Sequence, residues 1–133
     1  MTLYQGEFST ISYDGESGIL TLVWSENTAN MKAEDFQAVS SAFAEQAEKH
    51  NAQKLLVEVT NFRFPAAMGP ELTAWRAETI VPKYHKAGVK RFAFVHGKDF
   101  KEPPTSGQPI EGENFITRHL GDEAEARAWL LEG

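Results

Sequence analysis

Residues 54–69 read KLLVEVTNFRFPAAMG, and the way this stretch is divided decides the fold. KLLVEVT (54–60) is a short apolar run, too short for a buried helix and rich in valine, so it reads as a strand. It is apolar on both faces apart from Glu58, the pattern of a central strand in a parallel sheet. NFRFPAAMG (61–69) follows as a loop. A helix then begins near Gly69–Pro70, because proline fits a first helical turn where its missing N–H has no partner to lose. Strand, loop and helix in that order are half of a βαβ unit.

Working outward, YQGEFSTISYD (4–14) alternates loosely and reads as an edge strand ended by the DGESG turn (14–18). ILTLVWS (19–25) is a firmer strand, with Leu20, Leu22 and Trp24 on one face and Ile19, Thr21 and Val23 on the other. The two form a hairpin. A helix spans about Lys32 to His50, its inner stripe made by Phe36, Val39, Phe43 and Ala47. Beyond the central strand, Leu72, Trp75 and Thr79 define the inner stripe of the second helix. Pro82 is expected to kink or end that helix, and Gly88 closes it. RFAFV (91–95) is another buried strand, and the proline- and glycine-rich stretch 96–113 is a long loop. NFITRHL (114–120) is the last strand. Asp122, with Glu125 three residues on, caps a terminal helix docked by Ala126, Trp129 and Leu130. The expected fold is α/β, a mostly parallel sheet with an N-terminal antiparallel hairpin strand and helices packed on it, in one domain spanning 1–133.

The chain has 133 residues, 41% hydrophobic and 24% charged, enough apolar content for a real core. Its net charge of −6 argues against nucleic-acid binding, which depends on neutralising phosphates. With no cysteine, disulfides, thiol redox chemistry and thiolate metal sites are closed. No apolar run approaches a membrane span, and the N-terminal stretch lacks the pattern of an export signal. The expected location is cytoplasmic.

Catalytic chemistry finds little footing. No serine lies in a Gly-x-Ser-x-Gly elbow, and His50, His85, His96 and His119 are widely spaced with no close metal-ligand pair. No phosphate-binding glycine loop is present, and no cofactor or metal is expected. His96 stands out because it follows RFAFV, and ligands of parallel sheets gather at the carboxyl ends of strands. The loop after the central strand opens at the same edge, so Asn61, Arg63, His96 and Lys98 are expected to converge on one cleft. Glu58 is expected to pair with Arg91 on the adjacent strand. Phe62, Phe64, Met68 and Phe100 lie in connecting segments, where they line an apolar pocket, face a partner, or anchor the loops to the core.

In the order and spacing of MKAEDFQAV, KLLVEVTNF, KRFAFVHG and DEAEARAWL, the chain resembles the SpoIIAA-like group that includes STAS domains. The resemblance covers nearly the whole chain and is nearest to the small bacterial SpoIIAA-like proteins of uncharacterised function. It implies a link to STAS and to lipid-binding Sec14-like folds. Anti-anti-sigma members carry a phosphorylatable Asp-Ser-Ser/Thr-Gly turn after the central strand, which falls here on Ala66, Ala67, Met68 and Gly69. Ala67 and Met68 have no hydroxyl, so the phosphoswitch is lost at that turn. The expected function is therefore non-enzymatic: binding of an apolar small molecule, a lipid or a protein partner through the loops after the central strands. Candidate contacts are Asn61, Phe62, Arg63, Phe64, Met68, His96 and Phe100. The alternatives are an anti-sigma-type regulator acting by protein–protein interaction, a homodimer or peripheral membrane contact through the same loops, and an enzyme using His96 with Glu58 or Asp99.

Overall fold

The computed structural model describes residues 1–64, 69–108 and 113–132. Six strands lie side by side in chain order: β1 Thr2–Gln5, β2 Ser9–Asp14, β3 Ile19–Trp24, β4 Lys54–Glu58, β5 Arg91–Val95 and β6 Ile116–Leu120. The pairs β1–β2 and β2–β3 are antiparallel, and the remaining three are parallel. The helices are α1 Ala33–His50, α2 Pro70–Trp75, α3 Val81–Ala87 and α4 Glu123–Glu132. No helix among the described residues is long and apolar enough to cross a membrane.

The parallel strands are buried on both faces, so the sheet carries two cores. On one face Leu20, Leu22, Leu55, Val57 and Phe92 meet Val39, Phe43 and Ala47 of α1 and Tyr84 of α3. On the other, Ile19, Leu56, Ala93, Val95 and Leu120 meet Ala126 and Leu130 of α4. The alternation expected in β3 is the physical origin of this split: Leu20, Leu22 and Trp24 enter the first core and Ile19 the second. Helix ends follow the expected chemistry. Gly88 adopts φ 86° and its amide donates to the His85 carbonyl at 3.2 Å, closing α3. Asp122 Oδ2 accepts from the Glu125 amide at 3.1 Å at the start of α4.

Four expectations change. YQGEFSTISYD is not one edge strand but parts of two, turned at Gly6, whose amide donates to the Ser9 carbonyl at 2.9 Å. The sheet therefore begins with three antiparallel strands. The last strand starts at Ile116, two residues later than expected. Glu58 does not face Arg91: the register pairs Lys54 with Arg91 and Glu58 with Val95, so the two lie at opposite ends of the ladder. Arg91 instead lies 4.9 Å from the Trp129 ring centroid and donates to the Trp129 carbonyl. Lastly, Thr79 does not lie on the inner stripe of the second helix, because the regular α-helix is interrupted just before Pro82, where a kink or an end was expected. A π turn, Arg76–Ile80, joins α2 to α3, with the Val81 amide bonded to the Arg76 carbonyl. Proline inside a helix clashes with the carbonyl four residues back and donates no hydrogen bond, and widening one turn absorbs both defects. The extra residue in that turn rotates the stripe, leaving Thr79 exposed and Ile80 fully buried.

The β5–β6 connection has no helix among its described residues. It lies along the outer edge of β6: the Gly107 amide donates to the Thr117 carbonyl at 2.9 Å, and Ser106 Oγ accepts from the His119 amide at 2.6 Å. A bidentate Arg118–Glu102 pair at 2.7 and 3.0 Å fastens the same segment. An edge strand that would otherwise expose its ladder groups is thus covered.

Phe43 is 1% exposed and packs between α1, α3 and the sheet, so Phe43→Ala should lower the unfolding free energy by roughly 3–5 kcal/mol. A urea melt checks this, and an unchanged midpoint would contradict the packing described.

Candidate functional site

The π turn has a second consequence. It brings Arg76, half-buried, against a cavity of about 70 Å³ between the sheet and the helical layer. Six aromatic side chains line it, Trp24, Phe36, Phe43, Tyr84, Phe92 and Phe94, together with Leu22, Val57 and Ser40. The Arg76 guanidinium sits 5.8 Å from the Tyr84 ring centroid and 5.7 Å from that of Phe92. These are cation–π distances. Among the described residues it has neither a carboxylate nor a hydrogen-bond acceptor within bonding range. Burial pushes the Tyr84 hydroxyl up to about 12, with Arg76 pulling weakly the other way. At neutral pH that hydroxyl is therefore a donor. The cavity thus offers apolar walls, one fixed cation and two hydroxyls.

The loop after β4 supports one end of this cavity. Phe62 and Phe64, expected in a loop pocket, turn inward: Phe64 is 9% exposed and Phe62 packs edge-on to Trp24 with centroids 5.0 Å apart. Phe36 joins them, 5.9 Å from Phe64 and 6.4 Å from Trp75. The Arg63 amide donates to Thr28 Oγ1 at 2.7 Å, which fastens the loop beside the turn that precedes α1. These phenylalanines are core anchors whose neighbours Trp24 and Phe36 form the cavity wall. Met68, Ala66 and Ala67 lie outside the described residues.

His96 goes elsewhere. Its Nε2 lies 2.9 Å from Nδ1 of His119, at the carboxyl ends of β5 and β6. Phe100 stacks on His96 with centroids 4.0 Å apart, and Phe94 stacks beneath His119 at 5.0 Å. No hydrogen bond, ion pair or ring contact among the described residues joins this pair to Asn61, Arg63 or Lys98, so the expected single cleft is not assembled by direct contacts. Burial lowers the basicity of both rings; the neighbouring His119 lowers His96 further, while Glu102 opposes the shift at His119. Such a bond needs one ring to donate and the other to accept, so at most one of the two is protonated while it lasts. Ser106 does not turn the pair into a nucleophilic site, because its hydroxyl bonds to the backbone N–H and C=O of His119 rather than to the imidazole. Among the described residues no three histidine, aspartate or glutamate side chains converge on a metal position. Glu58 faces α4, where burial and then Glu123 raise its carboxyl and Arg127 opposes them.

Arg76, Tyr84 and His119 are the residues that sequence reasoning missed. Pro82, in the middle of a helical pattern, was the available signal for the first two, since the slip from Thr79 to Ile80 follows from it. For His119 the signal was β-periodicity: the register sets it opposite Phe94. Comparison with known families, curated proteins and solved structures finds no match.

The histidine pair implies a pH dependence whose sign can be worked out. Both rings hold protons less well folded than unfolded, where the ordinary value is 6.5. The unfolded chain therefore takes up protons first, and stability present above that value is lost as the pH falls through and below it. The melting temperature should fall between pH 7.5 and 5.5, and His119→Gln should flatten the slope. Glu102 and Asp14, both held below the usual carboxylate range by hydrogen bonds, titrate lower still and contribute outside this window. An identical pH slope in wild type and variant would rule the pair out as its source.

Proposed function

We propose that this chain is a non-enzymatic SpoIIAA-like module that holds a small apolar molecule in the cavity beneath α1 and the π turn. The observation that carries the reading is the cavity itself, walled by six aromatic rings and lying between the sheet and its helices. Small-molecule sites characteristically combine apolar and aromatic walls with a few polar groups that fix orientation. Here the polar groups are Arg76, Tyr84 and Ser40. The order and spacing of elements support the SpoIIAA-like part of the proposal, as does the hydroxyl-free stretch Ala66–Met68 where switch members of that group carry their phosphosite. The ligand site differs from the loop surface expected from sequence, since Phe62 and Phe64 are turned into the core and serve as its support.

Trp24 lines the cavity, so its fluorescence reports occupancy. Titration with 1-propanol, a small uncharged probe, should give a saturable change. At a hundred times its dissociation constant it should stabilise the fold by about 2.7 kcal/mol. Ser40→Trp, which places a bulky ring at the lining, should weaken the response at least fivefold while the protein still melts cooperatively. A linear, non-saturating response in the wild type would refute a defined apolar site.

A further inference from the structure

Resting on that ligand-binding reading, we infer that the molecule held in the cavity is a small carboxylic acid, with Arg76 as the residue that reads its carboxylate. The first support is the state of Arg76 compared with the other four arginines, of which Arg63 is exposed to water. Arg91 has the Trp129 carbonyl, Arg118 has Glu102, and Arg127 has Glu123. Arg76, half-buried and lining an aromatic cavity, has no acceptor among the described residues although the chain carries 19 acidic residues to 13 basic ones. A guanidinium presents five N–H donors in a planar fork that matches a carboxylate through two parallel bonds. Cation–π contact with Tyr84 and Phe92 holds the cation in place and spends none of those donors on a hydrogen-bond acceptor.

The second support is how the cation comes to be there. The π turn that relieves Pro82 begins at Arg76, and its extra residue changes which side chains face the sheet across that turn. Single π turns inside α-helices recur at functional sites because they re-aim a side chain in this way. Around the cation, the Tyr84 hydroxyl stays protonated and Ser40 supplies another hydroxyl, so the polar groups of the cavity include donors for an anionic head. A single positive charge matches a monoanion. A phosphate near neutral pH would bring more negative charge than Arg76 neutralises into an aromatic enclosure, at a large desolvation cost. The small volume, about half that of a cavity known to admit benzene, selects a short alkyl acid.

The test compares molecules of equal length that differ only in the head. Binding of propionate and 1-propanol is followed by tryptophan fluorescence at pH 7.5, with butyrate and 1-butanol as a second pair. Each acid should bind at least tenfold more tightly than its alcohol, although the protein's net charge of −6 opposes any anion non-specifically. Arg76→Met should abolish the tenfold preference for the acid over its alcohol, and Arg76→Lys should restore part of it. Acid and alcohol binding equally well to the wild type would overturn the carboxylate assignment and leave the apolar site standing. Binding of neither would overturn both. The wild-type comparison decides the matter even if Arg76→Met does not fold.

Discussion

A parallel strand in the middle of a sheet has two faces, and neither can be left to water when both carry leucine, valine and phenylalanine. In this chain β4 and β5 impose that condition, and most of the architecture answers it. Leu55, Val57 and Phe92 require the layer made by α1, α2 and α3, while Leu56, Ala93 and Val95 require α4. The right-hand edge of the sheet then needs its own protection, which comes from the segment around Ser106 and Gly107 lying along β6.

The helical layer over the first face is where local chemistry and packing conflict. Continuous cover needs apolar side chains from Leu72 through Ala87, yet Pro82 forbids a regular α-helix across that span. The π turn resolves the conflict without breaking the layer, and Ile80, Val81, Tyr84 and Ala87 are all buried as a result. Arg76 at the start of that turn then brings a charge to a lining made mostly of aromatic side chains. A backbone accommodation of one proline and the only charged group lining the cavity among the described residues are parts of one feature.

The histidine pair has a different character. It sits where two parallel strands end side by side, sandwiched by Phe94 and Phe100, and it links the strand ends to the segment that covers β6. Its bond is one between neutral or singly protonated rings, so the arrangement belongs to neutral and alkaline conditions.

Element identity was largely legible in the sequence because it depends on local periodicity. The alternation of Leu20, Leu22 and Trp24, the helical spacing of Phe36, Val39, Phe43 and Ala47, the unbroken apolar run of β4 and the caps at Gly88 and Asp122 all read correctly. What failed were relations between residues distant in the chain or dependent on register. The pairing of Glu58 with Arg91 was wrong because parallel register, set by packing across the whole sheet, puts them at opposite ends. Phe62 and Phe64 carry no local sign of which way they turn, and contact with Trp24 and Phe36 decides it. The sequence by itself determined an α/β chain with a proline in a helix, an acidic surface and no thiol chemistry, since those are properties of composition and short-range pattern. Tertiary structure alone decided that Arg76 meets the rings of Tyr84 and Phe92 and that His96 meets His119, because both follow from how separate elements are laid side by side.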